Sequence, residues 1–244
     1  MESDPSHNLA ESYAAAVDWW REAGVDMDFA DVAEAMLSDP AAPATVPLAE
    51  RKKPEPAVVP PPPSIGGERA TWPSTLDQFA IWWLSEPSLA ESGQRVPPRG
   101  CAQAELMVLV PMPEAGDSDV LLSAAQGVLV ANMLRAMQIA PDAAYIASAL
   151  PQHQPLADWA VLQASGLGDV LAHHIALVAP RRLLVLGNDI LPLLGLEKRQ
   201  GVREIPLNGT AVELLASVAP DNLLENAKAR ANLWRRWLDW TGNA

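Results

Sequence analysis

Residues 127–187 decide the fold. They open with Gly127-Val-Leu-Val-Ala-Asn-Met-Leu-Arg-Ala-Met137, pass through Ala144-Tyr-Ile-Ala-Ser-Ala149, and close on Leu183-Leu-Val-Leu-Gly187. The first run belongs to an amphipathic helix expected over Leu121–Ile139 and broken by Pro141. The second is a short β-type run. A loop over Leu150–Asp158 follows, then a helical pattern over Trp159–Val178, nicked at Gly166 and Gly168. The last is a five-residue apolar strand. The block therefore reads α-β-α-β.

Upstream, Leu106-Met-Val-Leu-Val-Pro111 is a continuous apolar run, as expected of a strand buried on both faces. Downstream, Asn188–Leu194 starts a short helix, and Val202–Leu207 is a fourth, weaker strand ended by Asn208-Gly209. Pro220–Trp240 is a closing helix. Strands alternating with helices predict an α/β domain over 74–244, with a short, mostly parallel four-stranded sheet and helices on both faces.

The first 39 residues read as a helical hairpin. Its helices are Tyr13–Ala23, stopped by Gly24, and Phe29–Leu37, followed by Pro40. Trp19, Trp20, Phe29 and Leu37 are its apolar anchors, suited to docking on the main domain or on a partner's groove. Residues 40–73 hold ten prolines and read as an extended, disordered linker.

The net charge of −13 is unevenly spread: −9 over residues 1–40, +1 over 41–74 and −5 over 75–244. An acidic chain is a poor non-specific binder of polyanions, because phosphate contacts need Lys and Arg. A local basic patch around Arg181, Arg182, Lys198, Arg199 and Arg203 is the candidate exception. No apolar run reaches the length of a membrane span, and the first residues lack the pattern of a signal peptide. A single Cys101 excludes an internal disulfide and any cysteine-ligated metal or cluster. A cytoplasmic protein without cofactor or metal is the expectation.

Loops at the carboxyl ends of parallel strands are where α/β proteins place their sites. Met112–Val120 brings Glu114, Asp117 and Asp119 there, and Leu150–Asp158 brings Gln152, His153 and Gln154. No dinucleotide fingerprint, phosphate loop or nucleophile elbow is present. His173 and His174 are adjacent, so on a helix they diverge and cannot chelate one metal.

The stretches quoted above, with Ala144 to Pro155, His174 to Gly187 and Ala219-Pro220-Asp-Asn-Leu-Leu-Glu-Asn-Ala-Lys228, resemble the uracil-DNA glycosylase superfamily, nearest its bacterial iron–sulphur branch. The resemblance covers about residues 75–240 and lies in scaffold positions. It implies a three-layer α/β/α domain and a link to DNA repair. Members of that family hydrolyse the bond to a flipped-out base. They use an acidic or amide group after the first strand, an aromatic face, an Asn at the end of the second strand and a His that stabilises the leaving base.

Here a gap-free alignment puts Pro111 in place of the acid, with Met112 beside it. Leu122 falls at the aromatic, Ser148 at the Asn and Ala219 at the His, while Glu86-Pro87-Ser88-Leu89 stands where the first cluster cysteines belong. One branch of the family uses a loop His against the sugar, and His153 lies in the comparable region. The expectation is a glycosylase-like protein without ordinary glycosylase activity. It would bind DNA, through residues such as Arg181 and Arg182, or a DNA-repair protein through the N-terminal hairpin. Two alternatives stand beside it: an active glycosylase whose water is positioned by Glu114 or Asp117, and a protein-interaction module with no DNA role.

Overall fold

A computed structural model describes residues 9–24, 64–90, 93–207 and 210–242. The chain divides into two units, Met1–Ala57 and Val58–Ala244.

In the first unit, α1 runs Leu9–Glu22 and ends at Gly24, whose φ is +78°. Tyr13, Ala16, Val17 and Trp20 recur at helical spacing and form one stripe, with Glu11, Asp18 and Glu22 on the opposite side. Tyr13, Trp19 and Trp20 are exposed. The second hairpin helix, Phe29–Leu37, and most of the Pro-rich segment lie outside the described residues.

The second unit is α/β, built on one five-stranded sheet. Its elements are α2 (Leu76–Ser85), β1 (Leu106–Val110), α3 (Ala125–Ala136), β2 (Ala144–Ser148), α4 (Trp159–Ala164), α5 (Leu167–Val178), β3 (Arg182–Leu186), β4 (Gly201–Leu207), β5 (Thr210–Ser217), α6 (Pro220–Glu225) and α7 (Ala227–Gly242). The strand order is β2-β1-β3-β5-β4. β1, β2, β3 and β5 are parallel, and β4 pairs antiparallel with β5 along the edge.

Five strands replace the four expected. The extra one is β5. Asn208-Gly209 reads as a strand end, yet Asn-Gly between two strands is also the strongest short hairpin signal. The register Leu207↔Thr210 joins β4 and β5 directly across it. The fourth parallel strand is thus β5, and Val202–Leu207 is its antiparallel neighbour.

Alternation along the strands sorts the core. Met107 and Leu109 of β1 face one way, with Tyr145, Leu183, Val185 and Leu214, against α2 and α5. Leu106, Val108 and Val110 face the other way, with Ile146, Leu184, Leu186 and Leu215, against α3, α6 and α7. Phe79 and Trp83 of α2 are buried in the first layer, Trp237 and Trp240 of α7 in the second. Trp83, Trp237 and Trp240 serve packing, while Trp234 of α7 is exposed.

The unit reaches further back than Ser74. The amide of Ile65 donates to the Ser165 carbonyl, that of Gly66 donates to Ser88 Oγ, and the Trp72 indole donates to the Gly66 carbonyl at 2.7 Å. The last ten residues of the Pro-rich segment are therefore seated on the sheet-bearing unit.

α1 starts four residues before the expected Tyr13, and three helices of the second unit differ from the sequence pattern. α3 begins at Ala125 instead of Leu121, because Leu122 sits at φ +57°, which no helix accommodates. The long pattern over 159–178 splits into α4 and α5 at Gly166, φ +94°. The closing helix breaks at Asn226 into α6 and α7.

Candidate functional site

β1, β2, β3 and β5 end at Val110, Ser148, Leu186 and Ser217, on one side of the sheet. The loop from Pro111 to Ala124 must return the chain from β1 to α3. α3 has four unsatisfied amides at its start, and its N-cap, Ala124, has no side chain to meet them. Glu114 does so from ten residues upstream. Its Oε2 accepts from the amides of Ala124 at 2.8 Å and Gly127 at 3.4 Å, and its Oε1 accepts from Gln126 at 2.9 Å. The negative charge also meets the positive end of the helix dipole.

Asp117 holds the loop itself. Its Oδ2 accepts from the amides of Glu114 at 2.8 Å and Leu122 at 2.7 Å, and its Oδ1 accepts from Ser123's amide at 2.8 Å and hydroxyl at 2.6 Å. Burial alone would raise this carboxyl's pKa. The hydroxyl and amide of Ser123, then the amides of Leu122 and Glu114, outweigh it and hold the group below its ordinary value. Both carboxylates are buried, and every oxygen already accepts a bond. A general base needs a lone pair within reach of the proton it takes. Here the bonds come from six backbone amides and the Ser123 hydroxyl, so both carboxylates serve the loop and the start of α3.

The other expected pocket residues are equally occupied. Met112 is half-buried and packs on the α2/α5 layer. Leu122 is buried in the opposite layer, so it offers no open face to a base. Ser148 is buried, and its Oγ donates to the Leu150 carbonyl at 2.6 Å. Ala219 is the residue before α6, where its carbonyl accepts from Leu223. A methyl there supplies no charge.

His153 is exposed, and its Nδ1 lies 2.9 Å from the Pro113 carbonyl. A carbonyl only accepts, so Nδ1 is the donor in this bond. This bond ties the loop after β2 to the loop after β1. The site loops are thus brought together, but with a lone imidazole between them.

Arg181 and Arg182 are elsewhere. They precede or open β3, whose far end carries the site, so the length of a five-residue strand, roughly 16 Å, separates them from it. Arg182 stacks over the Trp240 ring at 5.3 Å instead. They do not rim the loops.

The exposed charges of these loops are the acids Asp119 and Asp158. Residues 111–124 and 149–158 contain Glu114, Asp117, Asp119 and Asp158 and no Lys or Arg. Beyond β3 lie Asp189, Glu197, Lys198 and Arg199, with Lys198 already paired to Asp189 at 2.8 Å. Arg95, on the adjacent segment, is committed to the carbonyls of Glu86 and Ala90.

Two residues at this end carry open polarity that no sequence motif marks. The side-chain oxygens of Gln152, after β2, and Asn188, after β3, are buried without a hydrogen-bond partner. An amide directly after a parallel strand was the available signal. Among the described residues no group of three His, Cys, Asp or Glu could hold a metal, and no helix is long and apolar enough to cross a membrane. No family model matches the chain, and no curated protein matches it.

Proposed function

We propose that this chain is a three-layer, uracil-DNA-glycosylase-like scaffold that has lost glycosylase chemistry and acts by binding a DNA-repair protein. One observation carries the reading: each oxygen of Glu114 and Asp117, the only buried carboxylates among the described residues, is held by donors of the loop or of the start of α3. Hydrolysis of a glycosidic bond needs a water-positioning group and a cation or donor for the leaving base. The first is committed to structure, and Ala219 stands where the second is expected.

The exposed acids of the loops support a protein partner over DNA, since phosphates approach Lys and Arg and not carboxylates. The element assigned to the partner is α1. Its stripe of Tyr13, Val17 and Trp20 has helix-in-groove spacing, and Tyr13 and Trp20 are exposed.

The test uses the full chain against uracil-bearing and undamaged oligonucleotides at low and moderate salt. No base release and no salt-sensitive binding is the expected result. Release, or binding lost on raising salt and on substitution of Arg181 and Arg182, overturns the reading. So does a repair partner that binds a Tyr13→Ala/Trp20→Ala variant as well as the parent.

A further inference from the structure

A cavity of about 490 Å³ lies away from the strand-end loops, between the second half of α3, the start of β2 and the segment at Arg99–Gly100. Its volume is in the range of small-molecule sites. The chain passes very close to β2 here. Gly100 has φ +129°, and a Cβ on it would lie 2.6 Å from the Ala144 carbonyl oxygen. Only glycine permits that approach, which seats Arg99 and Gly100 against β2 at the cavity's edge.

The floor is apolar: Leu134, Ile139, Ala144 and Ile146. Ile146 and Ile139 keep 6% and 7% exposure, whereas Val108 and Leu109 of the adjacent strand have none. Solvent therefore reaches the apolar floor at this place. The only charged lining residues are Arg99 and Arg135, and no carboxylate faces them from the lining. In a chain of net charge −13, two arginines without an acid beside them are a local reversal.

Both side chains are exposed, with their guanidinium groups open to a ligand. Among the described residues, Arg21, Arg69 and Lys198 find carboxylates, Arg95 and Arg230 find carbonyls and Arg236 finds Gln200. Among the described residues the guanidinium groups of Arg99 and Arg135 take part in no hydrogen bond or ion pair, as is also so for Arg181, Arg199 and Arg203; what sets these two apart is that they line one cavity, where the Arg99 backbone pairs with Ile146 in both directions. A guanidinium presents a fork of donors that matches a carboxylate.

We propose that this cavity binds a small apolar carboxylic acid. Its carboxylate sits between Arg99 and Arg135, and its hydrocarbon body lies on Leu134, Ile139 and Ile146. The site is separate from the strand-end loops and stands whether or not the glycosylase reading holds.

Octanoate titrated into the full chain, followed by methyl NMR, tests it against octanamide and octylamine as neutral and cationic matches. Saturable shifts confined to Leu134, Ile139, Ala144 and Ile146 are expected with octanoate. Binding should weaken roughly tenfold or more for octanamide, and likewise for octanoate with Arg99→Gln/Arg135→Gln. These surface changes leave the core intact, which the unchanged methyl spectrum of the free variant verifies. No saturation by ~10 mM, equal binding of octanamide or octylamine, or undiminished octanoate binding by the variant overturns the site.

Discussion

Glu114 and Asp117 lock each other in place. The Glu114 amide donates to Asp117 Oδ2 at 2.8 Å, and the Asp117 amide donates back to the Glu114 carbonyl at 3.0 Å. Side chains held this way are parts of the scaffold. Removing either should damage folding before it damages any chemistry.

Glu114→Ala leaves three amides at the start of α3 without their acceptor, and a cost of about 2–3 kcal/mol is expected from urea unfolding. Asp117→Ala should cost at least as much, because it strands two amides and the Ser123 hydroxyl and amide. The double variant should fall short of the sum by about 1 kcal/mol, since both hold one loop. Strict additivity would contradict the coupling.

The fold was legible where burial is complete. β1 is a run of five apolar residues and β3 carries four after Arg182, and nothing but a buried strand suits them between turn signals. β5 was hidden because Glu213 interrupts Thr210–Ser217, and because Asn208-Gly209 reads equally well as an ending and as a hairpin turn. The start of α3 was not legible either. The left-handed Leu122 and the cap supplied by Glu114 are settled by contacts ten residues apart in the chain. Arg181 and Arg182 could have been placed correctly from sequence: they precede β3, whereas the site loops follow their strands.

Gly127 opens the block from which the fold was read, and close packing requires it. A Cβ there would stand 1.9 Å from the Leu122 carbonyl oxygen. Neither atom can yield, because Leu122 is held by Asp117. Gly127→Ala should lower stability by about 3 kcal/mol or more, against the slight gain normally expected for Gly→Ala in a helix. A neutral or stabilising result would contradict this packing.

Acid should weaken the fold in two steps. His174 is fully buried against Phe79, with Nε2 2.9 Å from the Tyr145 hydroxyl. Burial first, and the charge of His173 second, lower its pKa from 6.5 to about 3. The unfolded chain takes up this proton near pH 6.5 and the folded chain does not. The stabilisation is complete above about pH 6.5 and is lost at about 1.4 kcal/mol per pH unit as pH falls toward 3. Asp117 adds a second loss, present above its ordinary 3.8 and disappearing as pH falls through its lower folded value. Urea midpoints at pH 8 to 4 should show the first step. His174→Gln should flatten it, and an unchanged slope would contradict the assignment.

Arg182 is assigned to packing by its place over Trp240. Arg182→Ala should cost about 0.5–1 kcal/mol of stability and leave any oligonucleotide affinity unchanged. A loss of nucleic-acid binding without a loss of stability would contradict that assignment.

The most direct test of the central claim is uracil release from single- and double-stranded oligonucleotides by the full chain, compared with Glu114→Gln and Asp117→Asn variants whose folding is verified by circular dichroism. No release above the protein-free control, from parent or variants, is the result predicted. Release by the parent that disappears in either folded variant would show a working carboxylate where the structure places only a staple, and would contradict the account.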